Sequence, residues 1–204
     1  MARLIFAAHD PGGALIIEAV ADSVRNAGHE IQFIGSGPAV KIWRASDHNV
    51  LEISSDGNLD SVFCGLNDAI ITGTGLGHFE QNCWLWAKSK RCPAMAVIDA
   101  WTSFSRRFQT PTGLFFPDFI GVIDEAMAFM LAEELGTTAQ IMEIGQPHLR
   151  NQTQELADKR AQYGANAKIP TVVFFSEPII EDFGPRARGF DQFGIFKELI
   201  SGLD

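Results

Sequence analysis

The turn His9-Asp10-Pro11-Gly12-Gly13 places two titratable side chains beside a pair of glycines. It follows an apolar run, Leu4 to Ala8, and opens an amphipathic stretch that ends near Asn26. Glycines between a strand and a helix let backbone N–H groups approach an anionic or polyhydroxylated ligand at the positive end of the helix dipole. The turn therefore predicts a ligand site. The alternative is a tight turn in which Asp10 caps the helix and His9 is solvated.

Candidate binding residues also follow two later apolar runs. Thr74 and Gly75 follow one of these runs, and Asp99 and Trp101 follow the next. Because the carboxyl ends of parallel strands converge on one edge of a sheet, we expect these residues to line one cleft with the first turn. Asp99 is either a ligand carboxylate or an acceptor that fixes its own turn. Trp101 either stacks on a sugar or nucleobase or belongs to the core or to a domain interface.

Several other chemically capable residues favour a structural interpretation. Trp84 and Trp86 lie on a predicted helix, where packing is more common than ligand stacking. Arg106-Arg107 is expected to be an exposed, solvated pair, with contact to an acceptor phosphate as the alternative. His78 and Glu80 lack the spacing and the partners of a metal site. The sequence therefore predicts no metal site and no cofactor.

Seven short apolar runs alternate with segments long enough for helices, the first of which is predicted from Ala14 to Asn26. Near-continuous apolar character suits strands that are buried on both faces of a parallel sheet. Asp124 is placed to cap a helix that Gly136 ends, and Gly28 ends the first helix in the same way. The pattern predicts an α/β fold with a doubly wound, mostly parallel, Rossmann-like sheet. The predicted strands are Leu4 to Ala8, Ile31 to Ile34, Asn49 to Ile53, Ala69 to Thr72, Ala94 to Ile98, Phe119 to Ile123 and Gln140 to Ile144.

The character of the sequence changes after residue 146. We predict a Rossmann-like N-terminal domain over residues 1–146, a linker helix over 147–169, and a partial strand and helix over 170–204. One strand and one helix cannot bury both faces of a sheet. The last part therefore either opens a second α/β domain or adds an edge strand to the first sheet. An uncovered apolar strand, Thr171 to Phe175, also leaves pairing in a homodimer open.

The composition excludes some classes of partner and location. The chain has 16 basic and 25 acidic residues, a formal charge of −9, and 46% hydrophobic residues. Nucleic-acid binding begins with a concentrated basic surface, so we expect no nucleic-acid partner. Cys64, Cys83 and Cys92 form no CxxC pair, which argues against a zinc site and a disulfide framework. The sequence shows neither a secretory leader nor an apolar run of about 18 residues. We therefore expect a cytoplasmic protein without a transmembrane segment, for which peripheral membrane contact stays open.

A dinucleotide-dependent oxidoreductase is the rival function that the fold alone suggests. The first turn does not have the pattern G-x-G-x-x-G. The end of the second predicted strand, Ile34-Gly35-Ser36, also lacks the acidic residue that would hold a ribose. The residues therefore argue against this function.

The chain resembles the N-terminal half of GT-B-fold proteins, a group that holds many nucleotide-sugar-dependent glycosyltransferases and the non-hydrolysing UDP-N-acetylglucosamine 2-epimerases. It is most similar to bacterial members linked to surface-polysaccharide synthesis. The resemblance covers about residues 3–178. It rests on short motifs next to the predicted strands: His9-Asp10-Pro11-Gly12-Gly13-Ala14, Thr72-Gly73-Thr74-Gly75, Val97-Ile98-Asp99-Ala100-Trp101, Phe116-Pro117-Asp118 and Ile144-Gly145-Gln146-Pro147.

The resemblance implies a glycosyltransferase-like domain that binds an acceptor or a sugar nucleotide in polysaccharide or cell-envelope glycan synthesis. Glycosyl transfer needs a base that takes a proton from an acceptor hydroxyl. Some plant-type GT-B enzymes place a His just after the first strand, so His9 and Asp10 are the candidate catalytic residues. A sugar-nucleotide epimerase-like enzyme and a non-catalytic binding or accessory module are the alternatives. The implied substrate-binding residues are Gly12, Gly13, Thr74, Gly75, Asp99 and Trp101.

Two departures from the family limit what the resemblance implies. In sugar-nucleotide users a complete second domain supplies most of the nucleotide pocket, whereas this sequence ends at Asp204. The segment Ser176-Glu177-Pro178 also places a carboxylate where a pyrophosphate would sit, and like charges repel. We therefore expect the isolated chain to show little or no sugar transfer and to need a separate C-terminal half or another partner.

Overall fold

The computed structural model describes residues 1–54, 59, 62, 68–162, 174–185 and 187–202. The chain divides into two compact units, Met1–Asp158 and Lys159–Asp204. Cys64 and most of the predicted strand over 171–175 lie outside the described residues. Within the described part of the chain, no helix is long and apolar enough to cross a membrane.

The first unit contains a seven-stranded sheet and a short hairpin. All neighbouring strands of the sheet pair in parallel, and the hairpin of β6 and β7 is antiparallel. The predicted α/β fold with a mostly parallel sheet is confirmed, and each of the seven strands predicted between Leu4 and Ile144 is present to within about a residue at either end. The strands are β1 Arg3–Ala8, β2 Glu30–Gly35, β3 Val50–Glu52, β4 Ala69–Thr72, β5 Ala94–Val97, β6 Gln109–Thr110, β7 Gly113–Leu114, β8 Phe119–Val122 and β9 Gln140–Glu143.

The strand order creates a crevice between two adjacent strands. The order across the sheet is β3-β2-β1-β4-β5-β8-β9. The chain runs outward from β1 to β3 and then returns to place β4 on the other side of β1. In open α/β sheets, ligands bind at such a switch point, outside the carboxyl ends of the two strands. Here those ends lead directly into His9 after β1 and Gly73 after β4.

Helices cover both faces of the sheet, as a doubly wound fold requires. Alternating residues of β1 point to opposite faces. Ile5 belongs to the apolar cluster that contains Trp84, whereas Phe6 belongs to the cluster that contains Trp43. Both tryptophans are buried, as is Trp86, which confirms the packing role predicted for Trp84 and Trp86. The helices that begin in this unit are α1 Pro11–Glu18, α2 Ala21–Asn26, α3 Pro38–Ala45, α4 Phe79–Lys90, α5 Phe104–Phe108, α6 Glu125–Leu135 and α7 Pro147–Gln162, the last of which continues past residue 158.

The ends of the helices follow the predicted signals in two places and depart from them in a third. The Asp124 side chain accepts a hydrogen bond from the Met127 N–H at 2.8 Å, and Gly136 ends α6 with φ of 53°. The predicted single helix from Ala14 to Asn26 is instead two helices. The Val20 N–H bonds to the Ile17 carbonyl, three residues back rather than four, which tightens the chain between α1 and α2.

The second unit contains two described helices, α8 Ile179–Phe183 and α9 Gln192–Ser201. Gln192 is buried and connects them: its Oε1 accepts the Ile180 N–H at 3.1 Å, and its Nε2 donates to Glu181 Oε2 at 2.7 Å. Asp191 caps α9 by accepting the Gly194 N–H at 2.7 Å. These polar contacts fix the start of α9.

Candidate functional site

The loops that follow β1, β4 and β5 meet at the carboxyl edge of the sheet. The Leu76 N–H donates to Asp10 Oδ2 at 3.3 Å, which joins the first loop to the second. A Cβ atom added to Gly12 would lie 1.7 Å from Asp99 Oδ2, so the first loop also touches the third. The first loop therefore lies next to both the second and the third.

His9 and Asp10 form a hydrogen-bonded pair. His9 Nδ1 lies 2.7 Å from Asp10 Oδ1, and the two side chains are 29% and 41% exposed. Because a carboxylate accepts, this contact favours the tautomer with its proton on Nδ1 and leaves Nε2 able to accept a proton. A Cβ atom on Gly37 would lie 2.7 Å from Nε2, so a side chain at this position would displace the imidazole ring. The arrangement matches a general base whose ring is oriented by a carboxylate.

Asp10 occupies the N-cap position of α1 without acting as a cap. Its side chain makes no capping hydrogen bond to the helix. Its two oxygens are used instead by the His9 ring and the Leu76 N–H. The alternative in which Asp10 caps the helix and His9 is merely solvated is therefore wrong for the Asp10 side chain.

Glu80, on the first turn of α4, is a site residue that the sequence analysis did not assign. Its side chain has no solvent exposure. Its Oε1 accepts the His9 N–H at 2.8 Å, whereas its Oε2 has no hydrogen-bond partner among the described residues. Burial raises the pKa of the Glu80 carboxyl, the His9 N–H bond opposes that shift, and the negative charge of Asp10 adds to it.

Arg107 corrects the prediction of an exposed arginine pair. Its side chain is 11% exposed, and its Nη1 donates to Asp99 Oδ1 at 2.8 Å. The same nitrogen donates to the Thr74 carbonyl at 2.8 Å and to Thr74 Oγ1 at 2.9 Å. Thr74 Oγ1 in turn donates to the Val97 carbonyl at 3.2 Å. Arg107 thus ties the β4 and β5 loops together, while Arg106 is exposed as predicted.

Trp101 lies on the exposed part of the third loop. Its side chain is 42% exposed, and its Nε1 donates to Asp124 Oδ1 at 3.2 Å. The alternative in which Trp101 is part of the core is therefore wrong. The hydrogen bond fixes one edge of the indole ring and leaves the side chain partly open to solvent.

The glycines of the first turn approach the chain's own atoms. A Cβ atom on Gly13 would lie 2.8 Å from the Gly73 Cα, and the Asp99 carboxylate lies against Gly12. The start of α1 is thus already in contact with a negative charge and with backbone. Gly75 lies between two carboxyl groups, because its Cβ would lie 2.8 Å from Asp10 Oδ2 and 3.0 Å from Glu80 Oε2.

The charges at this edge favour a neutral ligand over a phosphate. Asp10, Glu80 and Asp99 place three carboxyl groups around the loops, and the Arg107 guanidinium is already bonded to Asp99. A carboxylate beside a helix N-terminus takes the place of an external anion. In the part of the chain that the structure describes, no group of three or more His, Cys, Asp or Glu residues is arranged to hold a metal ion.

Comparisons with known proteins found a likeness in structure but none in sequence. No protein-family model matches the chain, and no curated protein matches it in sequence. Among solved structures, MurG of Acinetobacter baumannii is similar to this chain with a TM-score of 0.48 and 13% sequence identity. The likeness covers 70% of this chain and 44% of MurG, so this chain spans less than half the length of the protein that it matches.

Proposed function

We propose that this chain is a glycosyltransferase-like domain of polysaccharide or cell-envelope glycan synthesis, and that its β1/β4 crevice binds a glycan acceptor. The hydrogen-bonded pair of His9 and Asp10 carries the proposal, because it presents an oriented base at the edge where ligands bind in this class of sheet. The motifs that resemble GT-B proteins support the reaction class.

His9 Nε2 takes the proton of an acceptor hydroxyl while that oxygen attacks the anomeric carbon of a sugar nucleotide. The bond from the anomeric carbon to the nucleotide breaks, and the departing diphosphate keeps the electron pair. Asp10 stabilises the imidazolium that forms, through the 2.7 Å contact with Nδ1. General-base catalysis of this kind contributes roughly 10²- to 10⁴-fold in rate.

The electrostatics of the crevice support an acceptor rather than a nucleotide as its ligand. Hydroxyl groups donate to carboxylates, whereas a pyrophosphate would meet the negative charges of Asp10 and Asp99. The backbone of Gly73 also lies against Gly13, which reduces the space for a ligand at the start of α1. We therefore place the acceptor at these loops and assign the sugar nucleotide to a complementary part of the enzyme. The exposed indole of Trp101 provides a surface on which a sugar ring stacks.

Binding of candidate ligands to ¹⁵N-labelled protein tests this function. The panel contains oligosaccharides of cell-envelope type and UDP-, GDP- and dTDP-sugars. We expect an oligosaccharide to shift the resonances of His9 and Thr74, and we expect His9→Ala to weaken that binding. His29→Ala is the matched control, because His29 precedes β2 at the opposite edge of the sheet.

Two results would contradict the proposal. One is binding that His9→Ala and His29→Ala affect equally. The other is a set of shifts confined to the cavity of about 440 Å³ at the amino edge, which is lined by Lys88 and Phe115 among others. A ligand could also shift the His9 resonances while no sugar transfer is detected, even after a candidate C-terminal half is added. That result would favour the non-catalytic binding module.

A further inference from the structure

Glu80 is a buried acid that the chemistry above does not use. It lies on the apolar face of α4 with Cys83, Trp84 and Ala87, all of which are buried. Burying an acidic side chain at such a position lowers the stability of the fold unless its polar atoms are hydrogen-bonded. One of its oxygens is bonded to the main chain of His9, and the other is unpartnered within the described structure.

We propose that Glu80 is the positioning residue of the His9–Asp10 pair. Its Oε1 fixes the main chain at His9, and its Oε2 fills space beside Gly75 that Asp10 Oδ2 also borders. The catalytic role of Glu80 rests on the function proposed above. Its effect on the geometry of the His9–Asp10 pair can be measured without any substrate.

The contacts around Gly75 explain how a residue on α4 can direct a side chain on the β1–α1 loop. Asp10 Oδ2 and Glu80 Oε2 both lie within 3.0 Å of the position of a Gly75 Cβ. The absent side chain of Gly75 leaves room for both carboxyl groups there. Asp10 Oδ2 is held by the Leu76 N–H, which leaves Oδ1 directed at His9 Nδ1.

The electrostatic surroundings agree with this role. The titratable groups that face Glu80 are His9 and Asp10 from the β1–α1 loop and Cys83 from its own helix. Burial and the Asp10 charge both raise the pKa of Glu80, so Glu80 keeps a proton to a higher pH than an exposed carboxyl does.

NMR of the His9 ring and of the His9 amide tests the role of Glu80. We expect Glu80→Ala to change the ¹⁵N shifts that report the His9 tautomer and to speed exchange of the His9 amide by about tenfold, the effect of one lost hydrogen bond. Glu80→Gln retains an acceptor for the His9 N–H and is expected to restore both readouts. Gln81→Ala is the matched control, since Gln81 is a buried neighbour that bonds to the Arg107 carbonyl instead.

The wild-type protein provides a second measurement if Glu80→Ala does not fold. The His9 amide proton is expected to show an inflection with pH that Glu80→Gln lacks, because the carboxyl that it contacts titrates. An unchanged His9 tautomer in folded Glu80→Ala, or the absence of that inflection from the wild type, overturns the positioning role. If the His9 spectra are as expected but the protein neither binds nor transfers a sugar, the proposed function is refuted and the positioning role of Glu80 stands.

Discussion

Replacing Gly13 by alanine tests whether the first turn is shaped by packing within the protein. The added Cβ would lie 2.8 Å from the Gly73 Cα, whereas ordinary contact begins at 3.4 Å, so backbone must shift by 0.6 Å. Helix α1 is held from its other side, because Trp43 Nε1 donates to the Ala14 carbonyl at 3.1 Å. The shift therefore strains a second contact. Overpacking of this kind costs about 1–3 kcal/mol.

The matched control is Gly77→Ala, which isolates the clash. A Cβ on Gly77 would meet nothing within 4 Å, and Gly77 has no positive φ. Both variants lose glycine entropy in the unfolded chain, which stabilises each by roughly 0.4–1 kcal/mol. The expected difference in unfolding free energy between the two variants is therefore about 1–3 kcal/mol, with Gly13→Ala the less stable. For a chain of this size that corresponds to a difference in Tm of roughly 2–12 °C.

Urea unfolding followed by tryptophan fluorescence provides the measurement. All four tryptophans of the chain lie within Met1–Asp158, so the signal reports the unit that contains the turn. Equal stability of Gly13→Ala and Gly77→Ala would refute the packing role. In that case, a loss of ligand affinity in Gly13→Ala would show that the glycine serves a ligand instead.

Three further predictions concern buried polar groups. Arg107→Ala should lower the unfolding free energy by about 2–4 kcal/mol, because it leaves Asp99 without its cationic partner. Arg106→Ala should change the unfolding free energy by no more than about 0.5 kcal/mol, and urea unfolding measures both variants. Because folding raises the pKa of Glu80, the bound proton stabilises the folded protein. This contribution to the unfolding free energy is fully present below pH 4.5, the ordinary pKa, and is lost as pH rises through the raised pKa. The unfolding free energy of the wild type should therefore fall relative to Glu80→Gln as pH increases, and a constant difference would contradict this. Burial raises the pKa of the Cys83 thiol well above its ordinary value of 9.0, so iodoacetamide should label the Cys83 peptide only in unfolded protein, as read by mass spectrometry.

The sheet could be predicted from sequence because each strand carries its own signal. A strand buried on both faces must be apolar throughout, and runs such as Leu4 to Ala8 have that character. The ends of α6 were also predictable, since a cap such as Asp124 and a left-handed glycine such as Gly136 act on their immediate neighbours. The break between α1 and α2 carries no comparable signal, because Ala19 and Val20 are both compatible with a helix.

The interior of the site could be predicted only in part. That the loops after β1, β4 and β5 would converge followed from the parallel sheet, and the structure brings His9, Asp10 and Asp99 together. The partners of these residues depend on tertiary contacts that spacing does not encode. Glu80 and Arg107 share one signal that could have identified them. Each is a charged residue at a buried position of a helix, where an unpaired charge is costly and a polar partner is therefore required.

The distribution of charge at the crevice is the reason for proposing an acceptor, rather than a sugar nucleotide, as its ligand. Helix α1 begins at a switch point, which in many α/β proteins is a phosphate site. In this chain the Asp99 carboxylate lies against Gly12, and its other oxygen is bonded to Arg107. A phosphate would have to displace Asp99 and break that ion pair, whereas a hydroxyl group can donate to the carboxylates already present. The position of Asp99 therefore supports the proposal that the crevice binds a polyhydroxylated acceptor beside His9.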